Sequence, residues 1–346
     1  MRSFLMPMAG VTCLFALAVT GCSAGSDGTS DAAPPTESEQ ASSPSPSPSA
    51  TSSSTGPSYA PYVSAVEANA NDSAGSPSTY NLAFVISGGS GCTPKWNGTN
   101  AIGDSAVKSR IAALTASGST VRVSFGGASG KELAATCDSV SELAQAYGEA
   151  LDAAGSTQAD FDIEGDELTD SDSVALRSQA IAALQEERPE VEVSFTLPVM
   201  PSGLDSDSLA LLTSANKYDV QVSTVNLMTM NYGESYAGDM GGYAITSATA
   251  AQAQLKKVFG TTDADAWKGM ALTSMIGTND VDNETFSLAD AAEVRTFAEE
   301  KGISWVSMWS TFRDQQCEDG SATDDALTNC SGVEQSSGAF AEAFSG

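Results

Sequence analysis

The chain has 346 residues, no histidine, and 44 acidic against 15 basic side chains, which gives a net charge of −29. The lack of histidine excludes Ser-His-Asp and Cys-His nucleophile pairs and HExxH zinc sites, so acid–base chemistry falls to carboxyl groups. The negative charge argues against binding to nucleic acid or to a membrane through a basic patch. Hydrophobic residues make up 41% of the chain, which is enough to build a substantial core.

The first residues have the pattern of an export signal. Met1 and Arg2 precede a mostly apolar stretch over residues 4–19, which is short for a membrane span but typical of a signal-peptide core. It is followed by Gly21 and Cys22 in a Val-Thr-Gly-Cys tetrad that resembles the bacterial lipobox. We therefore predict a lipoprotein signal peptide over residues 1–21 and an exported protein whose only membrane attachment is a lipid on Cys22. An ordinary secretory signal cut a few residues later is the alternative.

Residues 22–58 are rich in Ser and Pro and contain almost no large apolar side chain. Such a segment cannot bury enough apolar surface to fold alone, so we predict a disordered linker. Its fully extended length of roughly 110 Å is enough to hold a domain clear of a membrane surface. Residues 59–346 are then predicted to form a single folded domain, which we expect to be monomeric.

Four cysteines lie in the predicted domain: Cys92, Cys137, Cys317 and Cys330. In an exported chain they allow three disulfide pairings, and the twelve residues between Cys317 and Cys330 favour that local bridge. Cys92 then pairs with Cys137. A four-cysteine metal site is the alternative, but the C-x-x-C spacing of such sites does not occur. We therefore expect neither a metal nor a cofactor.

Eight apolar runs alternate with segments of helical periodicity from residue 59 onward. Each run has the length and composition of a buried strand. The runs are Tyr59–Val63, Tyr80–Ile86, Val121–Phe125, Ala159–Ile163, Val191–Leu197, Val225–Met230, Met270–Ile276 and Ser304–Trp309. This order predicts an α/β fold, a (β/α)8 TIM barrel, with a doubly wound sheet as the alternative. In both folds the functional residues lie at the carboxyl ends of the strands.

One predicted strand carries three acids. Asp160, Asp162 and Glu164 alternate with apolar residues, so the strand period places all three carboxyl groups, about 7 Å apart, on one face. Burial and like-charge repulsion favour a protonated form of at least one of them. A protonated acid beside an ionised carboxylate is what glycosidic cleavage requires. One alternative is an EF-hand calcium loop, but its twelfth position is Ser171 rather than Glu. A solvated acidic edge strand is the other.

These residues resemble the D-x-D-x-E motif of the family-18 glycoside hydrolases, the chitinases and their relatives. The resemblance extends from Tyr59 to the C-terminus and includes further segments in the order and at the spacing of the family. These segments are Ser124–Gly127, Met228–Gly233 and Ser307–Ser310, together with Met275–Asp280 and Ser310–Cys317, which are similar to secreted bacterial chitinase catalytic domains. The chain departs from the family pattern at Thr157 and Gln158, before the motif, and at Asn231, where many members have Asp.

The resemblance implies a catalytic role for each acid of the motif. Glu164 is expected to protonate the glycosidic oxygen. Asp162 is expected to orient the N-acetyl group of the substrate, whose carbonyl oxygen attacks the anomeric carbon in place of a protein nucleophile. Asp160 is expected to share a proton with Asp162 and so tune it.

The resemblance also implies substrate-binding residues. Tyr232 and Asn231 are expected to hydrogen-bond the acetamido group, and Trp309 to form the floor beneath that sugar. Met228 is a further candidate for the binding site. For Tyr232, Trp309 and Met228 a plain packing role is the alternative, and Gly126 and Gly127 can equally serve only a tight turn.

The function implied is a chitinase that cleaves β-1,4-linked N-acetylglucosamine polymers by a retaining, substrate-assisted mechanism. An endo-β-N-acetylglucosaminidase acting on glycans is the enzymatic alternative. A non-catalytic lectin-like protein on the same barrel is the alternative from another class, since the fold alone does not determine function. The presence of both Asp162 and Glu164 favours an enzyme, because a lectin needs no protonated acid at the barrel mouth.

Overall fold

The computed structural model describes residues 56–89, 91–321 and 325–346. The predicted signal peptide, the lipidation site Cys22 and nearly all of the predicted linker lie outside the described residues. None of the helices in the described ranges combines the length and the apolar character that a membrane crossing requires.

Strands and helices alternate along the chain in the order that the sequence predicts. The strands are β1 (Ser58–Tyr59), β2 (Tyr62–Ser64), β3 (Thr79–Ser87), β4 (Pro94–Trp96), β5 (Asn100–Ala101), β6 (Thr120–Gly126), β7 (Gln158–Asp162), β8 (Glu192–Pro198), β9 (Val222–Met228), β10 (Met270–Met275), β11 (Gly277–Thr278), β12 (Thr285–Phe286) and β13 (Trp305–Trp309). The helices are α1 (Ser105–Thr115), α2 (Val140–Ala154), α3 (Gly165–Thr169), α4 (Ser171–Glu187), α5 (Ser206–Lys217), α6 (Met240–Phe259), α7 (Asp263–Lys268), α8 (Leu288–Lys301), α9 (Asp325–Thr328) and α10 (Ala339–Ser345).

The main sheet is parallel in the sequential order β3, β6, β7, β8, β9, β10 and β13. The predicted first strand is divided in two: β1 pairs with β13, and β2 pairs with β3. The interruption falls at Ala60 and Pro61, where proline offers no N–H to a ladder. The Ala60 N–H still donates to Val306, and the Asn81 N–H donates to the Pro61 carbonyl. The predicted barrel arrangement is confirmed, although within the described ranges no unbroken strand closes it into a continuous ring.

The helices that cover the barrel begin and end at capping residues. The Ser139 hydroxyl accepts the Glu142 N–H at the start of α2, and Gly155 ends that helix in the left-handed conformation, with φ of 63°. Leu143 and Leu151, spaced eight apart on one face, are buried against the sheet. Full burial of each such side chain is worth roughly 1.5–3 kcal/mol. This helix matches the predicted segment Ser139–Ala153 to within a residue or two.

The alternation of side chains along β7 determines where its acids point. Phe161 packs outside the barrel, where its ring centroid lies 5.2 Å from that of Phe125 and 4.9 Å from that of Tyr147 on α2. Because neighbouring residues of a strand face opposite sides, Asp160 and Asp162 face the barrel interior. The aromatic packing behind β7 therefore fixes its register and orients the acids inward.

Two disulfides hold the long loops at the ends of the barrel strands. Cys92 is bonded to Cys137 and Cys317 to Cys330, with Cα–Cα distances of 4.5 and 5.1 Å. Both distances lie in the range that disulfide geometry allows. The predicted pairing is confirmed.

Candidate active site

A cavity of about 280 Å³ lies at the carboxyl ends of the barrel strands. Its wall combines the acids at the end of β7 with aromatic, methionine and polar side chains from the neighbouring strands. The lining residues are Tyr62, Phe84, Ala128, Ser129, Asp162, Glu164, Thr196, Met228, Met230, Asn231, Thr273, Met275, Asp280 and Trp309. Two of the three predicted catalytic acids and three of the four predicted binding residues are thus brought together.

Asp160 lies just below the cavity and is 1% exposed. Its carboxylate is hydrogen-bonded by four hydroxyl groups: Tyr62 Oη at 2.9 Å, Ser124 Oγ at 2.6 Å, Ser194 Oγ at 2.8 Å and Thr196 Oγ1 at 2.8 Å. These donors engage both of its oxygens. In the structure the Asp160 charge also raises the pKa of Asp162, and the proton that the sequence predicts the two to share stays a prediction.

Asp162 and Glu164 form a tightly coupled pair of carboxyl groups. Burial raises the pKa of Asp162 well above its ordinary value, and the negative charges of Glu164 and Asp160 raise it further. Burial likewise raises the pKa of Glu164, although its hydrogen bond with Asp162 works in the opposite direction. The Oδ1 atom of Asp162 is buried and accepts no hydrogen bond from an N–H or hydroxyl of the described residues. The raised pKa values favour a proton on one of the two carboxyl groups. The Oδ1 atom of Asp162 can accept a hydrogen bond from that proton or from a substrate N–H.

Glu164 lies between two cavities. It follows β7 by two residues and directly precedes α3, and its side chain is half-buried. The second cavity, of about 240 Å³, shares Glu164 with the first and extends along Pro198, Met200 and Asp205. A sugar chain that lies across both cavities would place one of its glycosidic bonds next to the Glu164 carboxyl group. This is the placement that an acid for the leaving oxygen of such a bond requires.

Aromatic rings form the side of the cavity opposite β9. The half-exposed rings of Trp309 and Phe84 are stacked, with centroids 5.6 Å apart and planes at 21°. The Tyr62 ring meets the Trp309 ring edge-on at 5.9 Å. Trp309 therefore has a partly exposed face at the cavity and is not a fully enclosed core aromatic.

The predicted binding residues after β9 divide into two groups. Met228 and Asn231 line both cavities, as does Met230, which the sequence analysis did not single out. Tyr232 lines neither cavity: it is 4% exposed, packs against Tyr236, and its hydroxyl accepts a hydrogen bond from Ser247 on α6. Its expected contact with the acetamido group stays a prediction, and in this structure the Tyr232 side chain lies outside both cavities. Asn231, the residue before Tyr232, has a φ of 55°, which lies outside the extended conformation of a strand.

The glycines after β6 allow two strands to approach closely. Gly126 has a φ of 101°, and a Cβ at this residue would collide with the main-chain oxygen of Asp162. The Gly127 N–H donates to that same oxygen at 2.9 Å. A Cβ on Gly127 would lie 2.7 Å from the Phe84 ring. Both glycines therefore let the turn fit between the catalytic strand and the aromatic wall.

Nine of the fourteen lining residues had no role in the sequence analysis, among them Tyr62, Phe84, Met230 and Asp280. Asp280 is exposed, and its negative charge adds to the rise in the pKa of Glu164 that burial causes, while the hydrogen bond with Asp162 opposes that rise. The signal available in the sequence was the segment 275–280, which resembles the family but carries no assigned role.

A group of three carboxylates lies near the start of α6 and α8, with oxygens of Asp239, Asp290 and Glu293 within 4.8 Å of one another. Asp239 caps α6 by accepting the Gly242 N–H. Asp290 accepts the Gly241 N–H and completes the capping box of α8. The first two acids are thus used as helix caps.

Comparison with known proteins gives relatives at the level of sequence and of structure. No protein-family model matches the chain. The "Probable bifunctional chitinase/lysozyme" of Escherichia coli K12 is 34% identical over 275 residues, which cover 74% of this chain and 31% of that protein. "Endochitinase 11" of Metarhizium anisopliae is 32% identical over 274 residues, which cover 74% of this chain and 52% of that protein. The chain therefore spans about a third to a half of these curated relatives.

The fold is similar to a crystal structure of the catalytic domain of a hyperthermophilic chitinase from Pyrococcus furiosus. The TM-score is 0.72 at 28% identity, and the match covers 83% of this chain and 93% of that one. The shared fold is accompanied here by the D-x-D-x-E acids at the end of β7 and by the glycine turn and tryptophan beside them. In sequence and fold the chain is similar to chitinases, and its motifs resemble those of the family-18 glycoside hydrolases.

Proposed function

We propose that the protein is a chitinase that hydrolyses β-1,4 linkages between N-acetylglucosamine units in chitin or its oligosaccharides. The observation that carries this proposal is the position of Asp162 and Glu164, two carboxyl groups whose pKa values burial raises, with Glu164 at the boundary between two cavities. The names of the three relatives, which describe a chitinase/lysozyme, an endochitinase and a chitinase, support the same substrate class. We expect no cofactor to take part.

In the first step Glu164 gives its proton to the oxygen of the scissile bond. Its raised pKa keeps that proton available, because burial disfavours the ionised carboxylate. The bond between the anomeric carbon and this oxygen breaks, and the leaving sugar departs with the new hydroxyl group. The sugars on the two sides of the bond then occupy the two cavities that meet at Glu164.

The substrate supplies the nucleophile. Asp160 is tied to four hydroxyl groups and lies below the cavity, so it is not free to attack the anomeric carbon. The acetamido carbonyl oxygen attacks this carbon instead and forms an oxazolinium ion. Asp162 accepts the acetamido N–H through its otherwise unpartnered Oδ1 and holds the group in line for attack. Water then attacks the anomeric carbon and opens the oxazolinium ring, while the Glu164 carboxylate accepts the proton that the water loses. The two inversions at this carbon restore the β configuration.

The aromatic wall holds the sugar that becomes the oxazolinium ion. The exposed face of Trp309 presents a rigid apolar surface to the ring C–H groups of a sugar. The stacked Phe84 keeps that indole in place.

The experiment replaces Glu164 by Gln in the purified domain. The variant should fold and bind chitin oligosaccharides but lose about 10³-fold in turnover, because proton delivery to the leaving oxygen is removed. Glu167→Gln, on the adjacent helix and outside both cavities, is the matched control and should keep full activity. Full activity of Glu164→Gln would contradict the proposal.

Activity and binding assays of the parent protein also test the two alternative functions. Release of high-mannose glycans from a glycoprotein, without cleavage of chitin oligosaccharides, would show an endo-β-N-acetylglucosaminidase. Binding of oligosaccharides without cleavage of either substrate would show a lectin-like protein.

We also propose that the protein is exported and acts as a monomer, held at the outer face of a bacterial membrane by a lipid on Cys22 or free after release. The Val-Thr-Gly-Cys tetrad at residues 19–22 supports this location. Mass spectrometry of the N-terminal peptide from native membranes should detect diacylglycerol on Cys22, and an unmodified Cys22 would refute the anchor.

A further inference from the structure

A clamp of two hydrogen bonds joins two residues of the cavity wall that follow different strands. The Asn231 side-chain amide donates from Nδ2 to Asp280 Oδ2 at 3.2 Å, and its Oδ1 accepts the Asp280 N–H at 3.1 Å. Asn231 follows β9, and Asp280 follows the short strand β11. Both line the cavity that contains Glu164. The clamp therefore fixes the Asp280 carboxylate at the wall instead of leaving it on a free loop.

The residues behind this clamp hold Asn231 in its unusual backbone conformation. Glu284 is 1% exposed, and its Oε1 accepts the Gly233 N–H at 2.7 Å. Backbone N–H groups of Asn231 and Tyr232 also stabilise its ionised form, which opposes the rise in pKa that burial causes. The buried Glu284 carboxylate thus stabilises the turn at residues 231–233. This turn orients the Asn231 side-chain amide toward Asp280.

Asp280 acts on the acid of the site by charge. Burial is the largest cause of the raised pKa of Glu164, and the hydrogen bond with Asp162 opposes it. The negative charge of Asp280 raises this pKa again. Asp280 is exposed, so part of its field is screened by water and salt. The clamp matters because a freely moving carboxylate at the surface would have a weaker and more variable influence.

We propose that Asp280 is a positioning residue for proton transfer, a carboxylate that the Asn231 clamp holds at the cavity wall so that Glu164 keeps its proton until the substrate binds. This inference rests on the proposed function of Glu164 as the acid. Asp280 need not touch the sugar, because it acts through Glu164.

Other charged or titratable groups lie on the elements around Glu164 and the clamp, but among the charged groups only Asp162 and Asp280 shift the pKa of Glu164. They are Asp160 and Asp162 from β7, Tyr62 from β2, Asp205 before α5, Asp166 and Glu167 on α3, and Arg313 and Glu284 behind the Asn231–Asp280 clamp. Arg313 is buried, its Nη2 donates to the main-chain oxygens of Thr278 and Ala326, and its pKa is lowered to about 10 by burial. Among these groups and Asp280, Asp280 is the one that the Asn231 side chain hydrogen-bonds in the described residues, so substitution of Asp280 isolates the clamped charge.

The test follows the titration of Glu164 without substrate, by carbon NMR of protein that carries ¹³C-labelled glutamate side chains. Comparison with Glu164→Gln assigns the signal. In Asp280→Asn the Glu164 signal should titrate at lower pH than in the parent, because the charge that disfavours ionisation is gone. Asp280→Glu should move the titration back toward the parent. The control is Asp282→Asn. Asp282 is an exposed acid two residues from Asp280 that lines neither cavity, so Glu164 should titrate in this variant as it does in the parent.

A second readout is the pH profile of hydrolysis, whose alkaline limb should move to lower pH in Asp280→Asn and not in Asp282→Asn. High salt should shrink this difference, which a purely structural role would not explain. An unchanged Glu164 titration in Asp280→Asn overturns the inference. If that variant does not fold, Asn231→Ala provides the comparison, and a parent-like titration there overturns it as well. Loss of the proposed function would appear separately, as a parent protein that does not cleave the substrate.

Discussion

A buried ion pair behind the active site gives the sharpest stability prediction. Glu132 and Arg177 are 2% and 1% exposed, and Arg177 Nη2 lies 2.8 Å from Glu132 Oε2. The same carboxylate accepts the Arg177 Nε–H at 2.9 Å and the Tyr147 hydroxyl at 2.6 Å. Glu132 also lies next to Gly126, the glycine whose close approach to the main chain of Asp162 is described above. Glu132→Gln keeps the shape of the side chain but leaves the Arg177 charge buried without a counter-ion.

Breaking one side of a buried ion pair costs about 3–5 kcal/mol, because the remaining charge is not solvated. We therefore expect Glu132→Gln to lower the free energy of unfolding by about this amount, measured by urea denaturation with circular dichroism. The control is Asp152→Asn, which breaks an ion pair of Asp152 with Arg188 at 2.6 Å whose side chains are 66% and 33% exposed. Exposed pairs contribute about 0–1 kcal/mol. Equal losses in the two variants would refute the reasoning.

Three further predictions concern the loops, the aromatic wall and the acid. Cys317→Ser should lower the free energy of unfolding by about 3 kcal/mol in the chain-entropy model, since the Cys317–Cys330 bridge closes a short loop, and denaturation under oxidising conditions measures this. Trp309→Ala should weaken oligosaccharide binding in calorimetry, and unchanged affinity would contradict its role as the sugar floor. Because the folded-state pKa of Glu164 is raised, its ionisation destabilises the fold as pH rises through that pKa. Glu164→Gln should therefore melt above the parent at alkaline pH, with a difference that disappears in acid.

The order and position of the barrel strands could be predicted because strands of a barrel are buried on both faces and leave continuous apolar runs. The run Val191–Leu197 corresponds to β8 at Glu192–Pro198, and Val121–Phe125 to β6 at Thr120–Gly126. The division of the first strand was not predicted. It depends on how Pro61 fits between two neighbouring strands, which is a tertiary property.

The acids of the site could be predicted because they belong to one strand, whose period of two fixes their common face. Residues that reach the cavity from other strands could not be predicted in this way. Phe84 points inward where the register of β3 against β6 shifts between Leu82 and Val85, an irregularity that an apolar run does not reveal. Asp280 lies at the cavity wall in contact with Asn231, 49 residues earlier. Such non-local contacts leave no periodic pattern in the sequence.

The central claim is that Glu164 protonates the leaving oxygen while the acetamido group of the substrate attacks the anomeric carbon. Proton NMR of a fresh chitin oligosaccharide digest measures the configuration of the new reducing end before it equilibrates. Two successive inversions at one carbon predict that the β-anomer appears first. An initial excess of the α-anomer would show a single displacement by water and would contradict the mechanism.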